Sequence, residues 1–162
     1  MGRAFVFGDN IDTDLLAPGH AMKLEPQAMA RFCLEAVDPA FAATVRPGDI
    51  VVGGANFGMG SSREQAAISL KLLGVAAVFA RSFARIFYRN AINIGLPALV
   101  LPEARDITAG DEITFDLEQG LAANLTSGRA YAFQALPPHL LAVIRDGGLT
   151  EHLKRRFAGT DA

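Results

Sequence analysis

Cysteine is almost missing from this chain: Cys33 is the single one among 162 residues. One cysteine cannot close an internal disulfide, and it cannot hold an iron–sulfur cluster, which needs several thiolates. Cys33 reads instead as a buried, reduced residue of a cytoplasmic protein. An excess of basic charge is missing too, since the formal net charge is −2, which excludes a strongly basic nucleic-acid binder. The cluster Lys154-Arg155-Arg156 shares its terminal segment with Glu151 and Asp161 and reads as a solvated helix end. No stretch approaches about 18 uninterrupted apolar residues, so no membrane span is expected. The start, Met1 to Phe7 followed by Gly8-Asp9-Asn10, has no apolar h-region, so secretion is not expected either. With no repeat, low-complexity tract or long linker, the chain reads as a single domain over 1–162.

What is present suits a packed α/β chain. Apolar residues make up 51 % of the sequence, enough for a core of its own and for part of the surface to be covered by a partner. Arg3–Phe7 reads as a short strand, and Asp9 to Pro26 as a long irregular loop rich in Asp, Gly and Pro. Pro26 can open a helix with Met29, Phe32, Cys33 and Ala36 on one face. Ile50-Val51-Val52 is a buried strand, and Ala66, Leu70 and Leu73 set the period of a following helix closed by Gly74. Val75–Ala80 and Ala98–Leu101 are further strands, separated by a helix over Phe83–Ile94. Glu112–Leu117 alternates as a half-exposed antiparallel strand does, Gln119-Gly120 turns, and Arg129–Leu136 reads as another strand. From His139 to Arg156 a helix is expected, broken at Gly147-Gly148. The fold class is α/β: a βαβα core, then a small β section and terminal helices.

The chemistry concentrates where Gly53-Gly54-Ala55-Asn56-Phe57-Gly58-Met59-Gly60 joins a strand to a helix. Missing side chains let a ligand approach the backbone, and a helix start offers unpaired N–H groups. Ser61 and Ser62 add hydroxyls, and Arg63 adds a fork suited to a carboxylate or phosphate. The loop lacks the Gly-Lys-[Ser/Thr] ending of a P-loop, and arginine stands where a dinucleotide loop needs its third glycine. A small anion such as a carboxylate is therefore favoured. Ser61 and Glu64 also match a capping box, which would make Ser61 a plain helix cap. His20, His139 and His152 are scattered, and each reads as a surface or satisfied histidine. The residues alone reach a small-anion site with a candidate serine and do not supply the reaction.

Three segments in order carry a resemblance: Gly8-Asp9-Asn10-Ile11-Asp12-Thr13-Asp14, then Asn56 to Glu64, then Ser82 to Pro97. From about Phe5 to about Arg155 the chain resembles the small subunits of 3-isopropylmalate dehydratases, the separate-chain form of the aconitase swivelling domain. The resemblance implies a swivelling β/β/α domain of the aconitase C-terminal type. It implies a partner, a large catalytic subunit carrying a [4Fe–4S] cluster whose open iron acts on the substrate hydroxyl as a Lewis acid. This chain would then bind no metal itself. Ser61 would be the catalytic base, with Ser62, Arg63 and Gly60 holding a small dicarboxylate or tricarboxylate substrate. Asp14 matches an aspartate near the active site of aconitases, and Arg85 is the polar candidate of the third segment. The activity implied is isomerisation of isopropylmalate by dehydration and rehydration, as in leucine biosynthesis. In two places the chain departs from the family pattern. Where many members carry a tyrosine-leucine pair, this chain reads His20-Ala21-Met22-Lys23-Leu24, and Gln65 stands where many have histidine. Lys23 becomes a candidate substrate contact, and another malate derivative (methylmalate, dimethylmalate or a homoaconitate type) stays open as substrate. A non-catalytic anion-binding module is the reading from a different class, and a homo-oligomer of the isolated chain is compatible with the sequence.

Overall fold

The structure, a computed structural model, describes residues 2–158; Asp161 of the terminal charge cluster lies outside them. Runs of buried aliphatic residues build the parallel half. β1 (Gly2–Val6), β2 (Ile50–Val52), β3 (Ala77–Ala80) and β4 (Ala98–Val100) lie side by side, all parallel. β2 and β3 are buried at every residue, as strands covered on both faces must be. β5 (Glu112–Asp116) joins the other side of β1 antiparallel, and β6 (Leu121–Asn124) and β7 (Ala130–Ala132) continue the meander. The result is one seven-stranded sheet in the order β4-β3-β2-β1-β5-β6-β7.

Alternate residues of the parallel strands feed two cores. Val51, Val78 and Ala80 pack with Leu16, Cys33, Ala66, Leu70 and Phe87 on the helical face. Ile50, Val52, Ala77 and Phe79 face the other way, onto Ile113, Ala122 and Tyr131 of the antiparallel strands and Phe133 just after β7. The helical layer contains α1 (Thr13–Leu16), α2 (Pro26–Ala30), α3 (Phe41–Thr44), α4 (Glu64–Leu72) and α5 (Arg85–Asn93); α6 (Pro138–Arg145) and α7 (Leu149–Ala158) close the described chain. Gly74 and Gly95 take positive φ of 87° and 82° after α4 and α5, as αL caps.

Several elements differ from the sequence reading. Residues 9–26 are not a featureless loop: Asp12 accepts a hydrogen bond from the Leu15 amide (2.8 Å) and caps the short α1, and a 3-10 turn follows at Gly19–Ala21. The second helix stops at Ala30, beyond which the amides of Arg31, Phe32 and Cys33 bond three residues back and Leu34 takes φ of +60°; Met29 and Cys33 are buried while Ala36 is exposed. β6 was not expected. Its sequence, Leu-Ala-Ala-Asn, has no β-branched residue, and it is a strand because β5 and β7 pair with it on both sides. The terminal helix does break at Gly147-Gly148.

Candidate functional site

Parallel strands deliver their following loops to one edge of a sheet, and that edge is where α/β proteins place ligands. Here it gathers Phe7–Thr13 after β1, Gly53–Arg63 after β2 and Arg81–Ala84 after β3. The first part of the glycine-rich loop is pinned residue by residue. Gly53 donates to the carbonyl of Phe79 (2.8 Å) and Gly54 to that of Gly8 (3.1 Å). The Ala55 amide donates to Asp9 Oδ1 (2.7 Å), and the Asn56 amide to Ser82 Oγ (2.8 Å). Phe57 donates to the Ser82 carbonyl (3.0 Å) and Gly58 to that of Ile11 (2.7 Å). Phe57 is fully buried against the rings of Phe83 and Phe87. Gly58 has φ of +84°, and a Cβ there would fall within the Phe87 ring. No residue but glycine fits.

After Met59, whose carbonyl accepts from Thr13 (2.8 Å), the pinning ends. Gly60, Ser61 and Ser62 are exposed, and among the described residues their amides and both hydroxyls have no hydrogen-bond partner. A ledge of unengaged donors on a rigid stem is what an incoming anion needs.

Arg63 ends the ledge. Its Nη1 donates to Asp14 Oδ1 (2.8 Å) and to the carbonyl of Ala17 (2.9 Å). Asp14 also accepts from the Gly19 amide (3.2 Å). The Arg63 hydrogen bond first, and the Gly19 amide second, hold the Asp14 carboxyl below the usual carboxylate range. This node brings α1, the turn at Gly19 and the end of the glycine-rich loop to one point.

Of the residues singled out from sequence, Gly60, Ser61, Ser62, Arg63 and Asp14 meet on this edge. Lys23 does not join them by contact: it is exposed and makes no hydrogen bond or ion pair among the described residues. Arg85 is exposed at the start of α5. The turn bearing Lys23 is held by His20, whose Nε2 lies 2.6 Å from Glu35 Oε1 and whose ring stacks edge-on to Phe32 at 5.0 Å. The capping box is absent. α4 starts at Glu64, and the residue before it, Arg63, has extended backbone (φ −97°, ψ 110°) with no side-chain cap. The ties from Arg63 to α1 keep that residue extended, so the first turn begins beyond Ser61. Sequence reasoning missed Asp9, Ser82 and Asn10, whose Oδ1 accepts from Asn56 Nδ2 (3.1 Å), as loop anchors, although Asp and Asn beside glycine are the usual local hydrogen-bonding residues. The Ala17 carbonyl carried no sequence signal.

Comparison with known proteins decides the lineage of this edge. A model of the aconitase C-terminal domain family matches residues 11–104, which include α1 and the whole glycine-rich loop. The chain belongs to that family. It is similar to 3-isopropylmalate dehydratase small subunit 1 of Thermotoga maritima, at 48% identity over 95% of this chain and 94% of the relative. It is also similar to the methanogen homoaconitase small subunit of Methanothermobacter thermautotrophicus, at 48% over 93% of this chain and 88% of the relative. Among solved structures, a 3-isopropylmalate dehydratase from Methanocaldococcus jannaschii superposes with a TM-score of 0.94 at 38% identity, covering 99% of this chain and 96% of that one. The seven-stranded sheet is therefore the aconitase C-terminal fold, and the chain groups with the small subunits of aconitase-type dehydratases. Among the described residues no helix is long and apolar enough to cross a membrane.

Proposed function

We propose that this chain is the small subunit of a cytoplasmic hydro-lyase that interconverts 2-isopropylmalate and 3-isopropylmalate, acting as one swivelling domain beside a large catalytic subunit. The near-full-length identity to a small subunit so named carries the reading. The residues of this chain do not fit a [4Fe–4S] cluster. Cys33 is its one cysteine, and burial pushes that thiol far up, away from the thiolate a ligand must be. The cluster is accordingly assigned to the large subunit.

This chain's own work is binding and proton handling. The exposed Gly60–Ser62 amides and the uncommitted donors of Arg63 receive a substrate carboxylate. Ser61, as its alkoxide, then takes the proton from the carbon next to a carboxylate while the hydroxyl on the neighbouring carbon departs as hydroxide, so that this proton and this hydroxide together make the water lost. Returning the proton and the hydroxide with the opposite placement completes the isomerisation. A serine is a poor base unless its anion is stabilised, and a guanidinium and open amides beside the hydroxyl supply that field. Asp14 is assigned the positioning of Arg63, and Lys23 a place near the far end of the substrate.

The test reconstitutes the chain with its large subunit and follows hydration of isopropylmaleate, citraconate and dimethylmaleate. Ser61→Ala should lower kcat by about 10²–10⁴-fold with little change in KM. Full turnover by Ser61→Ala removes the base assignment. A second reading has its own support: the homoaconitase small subunit is as similar as the dehydratase one, and the Lys23 turn is a cation in reach of solvent. Faster turnover of another malate-derived alkene than of isopropylmaleate selects it.

A further inference from the structure

On the face of the sheet away from α4, a cavity of about 310 Å³ opens at the carboxyl ends of β1 and β2. None of Gly60, Ser61, Ser62 or Arg63 lines it. Val6, Val52 and Ala104 give it an apolar wall, and Arg81 and Arg105 line it as cations. Neither guanidinium has an acidic partner among the described residues. The carboxylate next to Arg105 in the chain, Asp106, is bonded to Arg129 instead (3.3 Å). Asp9 also lines the cavity, but its Oδ1 is taken by the Ala55 amide (2.7 Å). The amides of Gly8 and Asp9, at the rim, find no acceptor among the described residues.

From this arrangement we infer a second anion site, for a small aliphatic carboxylate, separate from the Ser61 ledge. Two unpaired guanidiniums and two open amides call for an anionic head, since a fork of donors matches a carboxylate. Valine and alanine walls call for a short hydrocarbon body. The volume sits at the lower end of the range for ligand pockets, which admits a molecule of that kind. A bound carboxylate would rest on Gly53 and Gly54, the stem of the loop that ends in Ser61.

The experiment is an amide-resonance titration of the full chain with isovalerate, and separately with inorganic phosphate, at constant ionic strength set by chloride. Saturable shifts at Gly8, Asp9, Gly53 and Gly54 are expected with isovalerate. Arg81→Ala with Arg105→Ala should weaken binding by about tenfold or more per guanidinium removed, and Arg81→Lys with Arg105→Lys should restore part of it. Thermal unfolding of each variant shows that the chain still folds. Ser61→Ala should bind isovalerate unchanged, so the result stands apart from the proposed dehydratase activity. Absence of saturation, shifts that survive the double alanine change, or shifts centred on Ser61 to Gln65 overturn the site. Phosphate binding as tightly as isovalerate overturns its aliphatic part. If the double alanine change weakens assembly with the large subunit while no small anion binds, the arginines serve docking and the inference fails.

Discussion

Arg63 commits one nitrogen of its guanidinium to α1 and keeps its other donors. Its side chain is 26% accessible and that of Asp14 is 69%, so the pair is too solvated to matter much for stability. Its consequence is geometric: the Nη1 bonds to Asp14 and to the Ala17 carbonyl fix which way the fork faces. The pair also sets a pH dependence. A carboxyl whose folded pKa lies below its unfolded value contributes stability above the unfolded pKa of about 3.9, and loses it as pH falls through the folded one. The stability difference between wild type and Asp14→Asn should therefore be constant from neutral pH down to about pH 5 and shrink below about pH 4. Chemical denaturation of both proteins across that range measures it, and a difference that ignores pH removes the ion pair as its cause. Ser61, Ser62 and Arg63 stood out in the sequence by residue type and crowding, and the structure keeps them together at one edge of the sheet. That Ser61 is no cap was not legible, because the helix start depends on Arg63 reaching α1, nearly 50 residues back in the sequence.

Among the elements, the glycine-rich loop shows how a flexible sequence becomes a rigid stem. Each amide from Gly53 to Gly58 has an acceptor, and the loop's buried ring, Phe57, plugs into α5. Gly58→Ala would have to accommodate both a φ of +84° and a methyl inside the Phe87 ring. It should cost about 2–4 kcal/mol in denaturant unfolding, as overpacking joined to left-handed backbone strain does. A loss within about 0.5 kcal/mol would mean that α5 yields freely and the stem is not rigid. β2, β3 and β4 were readable because burial on both faces makes them continuous apolar runs. β6 was not, since a strand of leucine, alanine and asparagine depends on pairing; even Asn124 is set by a contact across the ladder, Nδ2 donating to Asp111 Oδ2 (2.8 Å).

At the level of the whole molecule, the edge carrying Ser61 is solvent-facing: Met59 is 39% accessible beside the open amides of Gly60 to Ser62. An active site that excludes water needs that edge covered, and a large subunit is the partner assigned to it. Hydrogen exchange should be fast at Gly60, Ser61 and Ser62 in the free chain and slow at least about tenfold when the large subunit binds, whereas the Gly53 to Gly58 amides are protected in both. Unchanged exchange at the ledge in the assembled enzyme would place the partner elsewhere.

The sequence by itself determined most of the strand and helix framework, the place of the glycine-rich loop with its two serines and arginine between β2 and α4, and the family resemblance. Each of these is written in local pattern: apolar runs, a helical period, glycines at fixed offsets and long motifs in order. The tertiary structure alone decided that Ser61 stands free of the helix, that Arg63 is aimed by Asp14 and the Ala17 carbonyl, that β6 is a strand, and that Arg81 and Arg105 share a cavity. Those facts depend on groups far apart in the chain meeting at the edge of a sheet, and no local period encodes such a meeting.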